Sequence, residues 1–312
     1  MKNKIANLLM VLFVSLNTNI VMGEQMNNSF FSWSNFVDNF GGQIVSAEEV
    51  FTNMIKGGLK ENSLLKFDFH FISNDRKNIE ALNVFLKEHY LYTFESIIER
   101  EDKLWELSGL TNKIPVTSDN LMYWVLDMHK RGYEFDSEFD GYGAPYDPEE
   151  QSQPDFSNDK EDYYFDLGIE RYNAGDLSGA IINWSNVIEI NGKEVNSYYS
   201  RAIVKNELYT WKSALKDYDE AIEIAPNFIS ALLNRGSLKD ENEDYEGAIQ
   251  DYDLVISNKH SNEDDLRKAY FNKGNTYLNL NKKNEACKYW KNASELGAEY
   301  ANERIQKYCE KP

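Results

Sequence analysis

Asp68 and His70 stand two residues apart in a stretch that alternates strictly, with Leu65, Phe67, Phe69 and Phe71 set against Lys66, Asp68 and His70. A carboxylate beside an imidazole is where general acid–base chemistry would begin. Here both side chains fall on the polar side of a half-buried strand. No serine or cysteine sits in an elbow motif to use them, so the pair reads as a surface hydrogen bond. Asp147, Glu149 and Glu150 offer oxygen ligands for calcium, but Pro148 interrupts them and the EF-hand glycine is missing, so solvated carboxylates are expected. There is no phosphate loop, no glycine-rich dinucleotide turn and no His-Glu-x-x-His. Four histidines and two cysteines cannot supply a four-cysteine zinc site or a disulfide framework. The chain is therefore expected to be non-enzymatic, with no catalytic residues, metal, cofactor or small-molecule substrate.

Charge and length bound the partners. Lys and Arg total 33 against 52 Asp and Glu, a net charge of −19 over 312 residues. Phosphate contact needs clustered cations, so direct nucleic-acid binding is not expected. The length suggests two domains. Residues 1–23 read as an export signal: Lys2 and Lys4, an apolar run from Ile5 to Leu16, a polar exit, and Val21-Met22-Gly23 before a cleavage point. The run is short of the ~20 apolar residues of a spanning helix. The bland alternative is an uncleaved hydrophobic tail. Removing residues 1–23 takes the charge from −19 to −21. The signal implies a periplasmic or envelope-associated protein touching membrane only through that segment, or a cytoplasmic one if the signal is unused. Residues 24–43 form an aromatic-rich lead segment whose Trp33, Phe36, Val37 and Phe40 share a helical face, expected to pack on the next domain.

Residues 44–147 read as an α/β domain. Ser46 opens a short helix with acidic residues at its positive end, and Gly57-Gly58 closes it. After the Leu65–Phe71 strand, Asn74 or Asp75 caps a helix that turns Ile79, Leu82, Phe85, Leu86 and Tyr90 inward. Tyr92–Ile98 is a strand, Glu101-Asp102 a turn, and Lys103–Ser108 the return strand. Thr117 or Ser118 starts a second helix, with Leu121, Trp124, Val125 and Met128 inward, closed by Gly132. Tyr133, Phe135 and Phe139 mark a last strand. The order strand, helix, strand, strand, helix, strand predicts an α+β ferredoxin-like arrangement, both helices on one face of a four-stranded sheet.

At the last strand, Asp140-Gly141-Tyr142-Gly143-Ala144 resembles the closing Asp-Gly-Trp-Gly-Thr motif of the RraB-like family of ribonuclease E inhibitor proteins. Tyr142 replaces the Trp and Ala144 the Thr. Leu104–Leu107 and the Val125…Met128…Gly132-Tyr133 helix exit are similar to that family too. The resemblance covers residues 60–147. It implies a small regulatory or binding fold; an export signal conflicts with a cytoplasmic ribonuclease as its target. Read from the residues alone, Asp140, Gly141, Tyr142 and Gly143 fit a tight turn that needs φ > 0, with a binding surface as the other reading.

Residues 148–160 are an acidic linker, in a stretch where Glu134–Asp162 holds eleven Asp or Glu against one Lys, with Pro145, Pro148 and Pro154. Such a segment is expected to be extended and solvated. Residues 161–296 then repeat: Gly168, Ala202, Gly236 and Gly274 are spaced 34, 34 and 38, as are Ala180, Ala214, Ala248 and Ala286, and Trp184, Tyr218, Tyr252 and Trp290. This is the tetratricopeptide pattern, four helical hairpins of an all-α solenoid. The four extra residues fall near Asn258–Asp265, and residues 297–312 form a capping helix. Phe165, Tyr199, Leu233 and Phe271 occupy one column, and Ile169, Ile203, Ser237 and Asn275 another. These columns normally line the groove of such repeats and are the expected partner site, unless Phe165 and Tyr199 pack between repeats instead. Some tetratricopeptide proteins clamp a C-terminal carboxylate there, but only Lys268, Asn272 and Asn275 resemble that pattern, so no clamp is expected. Cys287 and Cys309 lie symmetrically about the turn after Gly297, where a disulfide or two separate buried thiols both fit. The reading as a whole is an interaction scaffold. The repeat groove takes a partner peptide or helix, and the RraB-like domain is a second binding module. The alternative is a cytoplasmic inhibitor of an RNA-processing ribonuclease.

Overall fold

The computed structural model describes residue 26, residues 28–145 and residues 151–310. The export segment, and the acidic cluster at Asp147, Glu149 and Glu150, lie outside them. The chain divides into two compact units that meet at Gly192 and Lys193, not at the acidic linker, so the first helical hairpin belongs with the α/β part.

Unit 1 opens with α1, Trp33–Lys56, a single 24-residue helix across the expected boundary at residue 43. Ser32 caps it, its side chain accepting the Asn35 N–H. Gly41-Gly42 does not break it, since both glycines lie on the exposed side. Phe36, Ala47 and Met54 are buried along it. Val37, expected inward, is exposed. The entry to α1 is tied down by Asp136, whose carboxylate accepts the N–H groups of Ser29 (2.9 Å), Phe30 (2.9 Å) and Phe31 (2.7 Å). Partial burial pushes that carboxyl up, but the three N–H donors outweigh it and hold it below the usual range.

The strand expected at 65–71 is two strands, β1 (Ser63–Leu65) and β2 (Asp68–Ser73). Then come α2 (Arg76–His89, capped by Asp75), β3 (Thr93–Glu99), β4 (Trp105–Leu110), β5 (Ile114–Val116), α3 (Ser118–Glu134, capped by Thr117) and β6 (Glu138–Gly143). The β3–β4 return begins later than expected because Lys103 sits in the turn at φ 73°. β1 and β5 form a small antiparallel pair of their own, a pairing the sequence reading missed. The main sheet has the order β3-β4-β2-β6, all neighbours antiparallel, with Phe71 opposite both Leu107 and Phe139. One core holds Phe67, Phe69, Phe71 and Phe139 with Leu82 of α2 and Trp124 and Met128 of α3, so both helices cover the same face. Each buried Phe contributes roughly 1.5–3 kcal/mol. His70 and Asp68 point to the other face, where His70 lies 3.4 Å from Glu106.

Gly132 does not close α3, which runs two residues further and takes Tyr133 out of the expected strand; Phe135 is the helix cap. The glycine serves close approach instead, since a Cβ there would meet the Ser137 carbonyl at 2.6 Å. Asp140, Gly141, Tyr142 and Gly143 are strand, not turn: neither glycine has positive φ, and the register shifts beside them. Nor are residues 151–153 a free connector. Gln151 accepts from Lys60 N and Ser63 Oγ and donates to the Gly58 carbonyl, Leu64 N donates to the Ser152 carbonyl, and Gln153 donates to the Glu61 carbonyl. Glutamine amides satisfy loop backbone that would otherwise need water. Unit 1 ends with the first helical hairpin, α4 (Glu161–Ala174) and α5 (Leu177–Ile190).

Unit 2 holds three more hairpins and a cap: α6 (Val195–Glu207), α7 (Trp211–Ile224), α8 (Ile229–Glu241), α9 (Tyr245–Ser257), α10 (Glu263–Asn279), α11 (Lys283–Glu295) and α12 (Tyr300–Tyr308). The small-residue columns do what their size allows. A Cβ on Gly236 would lie 2.8 Å from the Tyr252 ring, and one on Gly274 2.5 Å from Trp290. Ala214, Ala248 and Ala286 are fully buried. The longer spacing before the last hairpin is absorbed by the 258–262 loop, where Asn262 forms a capping box with Asp265.

Candidate functional site

In unit 2 a column of charge runs through the hairpins that the sequence reading did not pick out. Arg201 and Lys205 on α6 both reach Asp217 on α7, at 2.7 Å and 2.9 Å. One period later, Arg235 and Lys239 on α8 reach Asp251 on α9, at 2.5 Å and 2.9 Å. Asp217 and Asp251 are buried, which an ionised carboxylate tolerates only when its charge and lone pairs are met. A second series ties successive hairpins: Arg235 to Asp219 at 2.7 Å, and Lys273 to Asp253. In the last hairpin the column turns aromatic. Tyr277 and Tyr289 stack at 5.2 Å, and Lys273 lies 4.5 Å over the Tyr289 ring. The 34-residue offset between Arg201, Lys205, Asp217 and Arg235, Lys239, Asp251 was the signal that could have found it.

The residues expected to line a groove divide. Tyr199 is buried: its ring packs on Tyr218 and Phe228, and its hydroxyl accepts from Asn234 at 3.2 Å. Leu233 is buried in the next hairpin's core. Phe271 meets Tyr300 of the cap edge-on at 4.8 Å, and Asn275 accepts the Trp290 Nε1–H at 3.1 Å. These four therefore pack the unit, because side chains at that height fall between neighbouring helices. Ile203 remains half-exposed. Phe165 and Ile169 are half-buried on α4 of unit 1. Asp140, Gly141 and Tyr142 line a cleft of about 380 Å³ beside α1, with Ser46 facing Tyr142. Cys287 and Cys309 are bonded, tying α11 to the end of α12.

In unit 1 a buried polar network joins α3 to the α4–α5 turn. The Tyr90 hydroxyl lies 2.9 Å from both Asp127 oxygens and accepts from Arg131 Nε at 2.8 Å. Arg131 also donates to the Gly175 carbonyl at 2.8 Å, and Asp127 accepts the Ser178 N–H at 2.8 Å. Burial drives the Tyr90 hydroxyl well above its ordinary value, so it stays neutral. Asp176, the α5 cap, accepts from Gly179 N at 2.7 Å. Burial and the nearby Asp127 charge push its carboxyl up to about 7. Beside this network lies a cavity of about 270 Å³, walled by α4, α5, the 112–115 segment and Pro154.

Residues 268–296 match the family model described as tetratricopeptide repeat; the match lies wholly in unit 2. The helical hairpins of the C-terminal half are tetratricopeptide-like. Among solved structures, the chain is similar to PilF of Pseudomonas aeruginosa, at 21% identity over 45% of this chain and 63% of that one, with a TM-score of 0.41. It is similar to MamA at 22% identity over 47% of this chain and 81% of that one, TM-score 0.41. The third is the tetratricopeptide domain of Arabidopsis OM64, at 20% identity over 39% and 98%, TM-score 0.36. The chain thus spans less than two thirds of PilF's length. No curated protein matches the chain. Among the described residues no helix is long and apolar enough to cross a membrane.

Proposed function

We propose that the protein is an exported, non-enzymatic scaffold that holds a partner peptide or helix against its tetratricopeptide repeats, with the α/β unit as a second contact. The observation that carries this is the repeat array of unit 2, whose first two hairpins are locked internally by buried ion pairs. A rigid face built from repeated helices suits recognition of an extended or helical segment. Two linked contacts raise avidity without new chemistry. Export is supported by the pattern of residues 1–23 and by the Cys287–Cys309 disulfide, which persists in oxidising compartments. The strand order β3-β4-β2-β6 with both helices on one face supports reading the four-stranded part as ferredoxin-like.

Photo-crosslinking groups at Ile203 and Ser237, and at Leu254 on the second helix of a hairpin as control, test the scaffold reading in native cells. One common adduct at the first two sites and none at Leu254 is expected. Equal labelling at all three, or none, removes the repeat face from the account. Intact mass and cell fractionation test export: loss of residues 1–23 and an extracytoplasmic location are expected, and a full-length cytosolic chain overturns it. The second reading, ribonuclease inhibition, rests on the Asp140–Gly143 motif on β6. Unchanged ribonuclease E turnover at saturating full-length protein disposes of it.

A further inference from the structure

We propose that the unit 1 cavity binds a compact apolar carboxylate, whose charge is taken by Arg171 with Asn186 as a second donor. This site stands apart from the repeat face and does not depend on the scaffold reading.

In unit 2 the first two hairpins each set a lysine on the first helix against an aspartate on the second, Lys205 with Asp217 and Lys239 with Asp251, and the third replaces the pair by Tyr277 and Tyr289. Thirty-four residues before Lys205 and Asp217, the hairpin of unit 1 has Arg171 in place of the lysine and Asn183 in place of the aspartate. Leu167 replaces the companion arginine. The cation is kept and its carboxylate is gone. Among the described residues, the one carboxylate within 4 Å of Arg171 is Glu170, at 3.6 Å and 69% exposed, while the Arg171 side chain is only 17% exposed. A mostly buried guanidinium with so weak a partner is a poor arrangement unless an anion completes it.

The surroundings supply room for that anion. Arg171 and Asn183 both wall the 270 Å³ cavity. Asn186 lies one helical turn beyond Asn183 on the same wall, is 6% exposed, and its amide makes no hydrogen bond among the described residues. Asn183 is already committed to the Gly179 carbonyl at 2.7 Å through its own amide. Most of the remaining wall is apolar or aromatic, with Tyr92, Pro115, Pro154 and Tyr164, and Asn112 and Ser178 add polar groups; Lys113 stands on an exposed loop at the cavity. One opposing carboxyl is present, Asp176. Its Oδ1 is held by the Gly179 N–H, and burial raises its carboxyl to about 7, so near pH 7 it offsets only part of the Arg171 charge. The volume lies just under the ~300–1,000 Å³ of drug-sized pockets. The ligand is therefore of about amino-acid size: a small free acid with an aromatic or branched body, or the last residue of a polypeptide.

Calorimetric titration of the full chain tests this with 3-phenylpropionate, N-acetylphenylalanine and N-acetylphenylalanine amide, plus a short peptide ending in free phenylalanine and the same peptide amidated. Saturable binding of at least one acid, with a Kd below about 1 mM, is expected. The amide should bind at least about tenfold more weakly, since it cannot form the charge-assisted pair. Arg171→Gln should lose at least about tenfold in affinity. Asn183→Asp restores the internal pair of the later hairpins, so it should lose affinity to the same extent while keeping or raising the melting temperature. That second variant separates lost binding from lost folding. Binding by the free acids and not by the peptide assigns a small-molecule source, and binding by the peptide assigns a chain terminus. No saturable binding up to about 10 mM for any acid, an amide equal to its acid, or unchanged affinity in both variants overturns the proposal.

Discussion

Asp251→Asn asks what the buried charge column contributes. Asp251 takes Arg235 through two contacts and Lys239 through a third, and its side chain is 2% exposed. The amide keeps the shape and removes the charge. Stripping one partner from a buried ion pair costs roughly 3–5 kcal/mol, because the remaining charge is left uncompensated. Here Arg235 and Lys239 are 14% and 19% exposed, and Arg235 keeps Asp219. That discounts the loss to about 2–3 kcal/mol. Unit 2 spans 120 residues, Lys193–Pro312, so its unfolding entropy is about 0.25 kcal/mol/K, and the melting temperature should fall by about 8–12 °C. The control is Asp219→Asn, which breaks an exposed pair to the same arginine: Asp219 is 61% exposed, and the loss should stay under about 1 kcal/mol, or 4 °C. Circular dichroism melts of the oxidised full chain, wild type and both variants, read the difference. A shift for Asp251→Asn no larger than that for Asp219→Asn would refute the idea that the column is energetically coupled to burial.

Gly236→Ala should destabilise by about 1–3 kcal/mol, because the new Cβ would sit 2.8 Å from the Tyr252 ring and the packed hairpin must open; a melting temperature equal to wild type would show that the ring yields freely. Cys309→Ser opens a loop of 22 residues between the bonded cysteines and should cost about 3 kcal/mol, read as a lower denaturant midpoint that wild type reproduces on reduction. His129 donates from Nε2 to the Phe36 carbonyl at 2.9 Å, between the Phe31 and Phe36 rings, and burial lowers its pKa below the ordinary value. From about 6.5 down to that lowered value the unfolded chain binds the extra proton and the folded one does not, so stability falls as pH drops. The difference in stability between wild type and His129→Gln should therefore shrink between pH 7 and 5; a pH-independent difference would exclude the histidine as the titrating group.

The sequence was most legible where one residue type recurs for one physical reason. Gly236 and Gly274 are glycine because an aromatic ring occupies the space of a side chain, and Gly168 meets the same need against Trp184, while Ala202 keeps the column small in the remaining hairpin. The alternation from Leu65 to Phe71 located the central strand because the sheet has one wet and one dry face. Where the local signal was ambiguous, the outcome turned on distant contacts. Gly41-Gly42 could end a helix, yet α1 continues because Phe36 before them and Ala47 and Met54 after them bury against the same unit. Gly132 could end α3, yet Ser137 packing on it uses the same absent side chain. The Asp140–Gly143 run has turn composition and is strand, because β2 pairs with it from Asp68 to His70. Tyr199 and Leu233 had the right positions for a groove and the wrong depth, since spacing gives the angle around a helix and not how far its neighbours close over it. Asp136 was unreadable as an anchor, because the three N–H groups it holds lie more than a hundred residues earlier.

The departure of the first hairpin from the pattern of the others follows from what surrounds it. In the next two hairpins the lysine–aspartate pair lies between helices of like kind and is satisfied within the repeat. The α4–α5 turn instead presents Gly175 and Ser178 to Tyr90, Asp127 and Arg131 of the α/β part, so the polar demands there are met by residues outside the repeat. A buried network of this sort adds little net stability against an apolar interface. Its hydrogen bonds are directional, however, and a wrong docking angle would strand Arg131 and Asp127 without partners. The hairpin is thereby fixed to the sheet in one orientation, and its face toward the 112–115 segment is released from the repeat's own rules. Asn183 and Leu167 occupy that face, and Arg171 keeps its charge there, which is why the cavity lies where the repeat meets the sheet and not between two repeats.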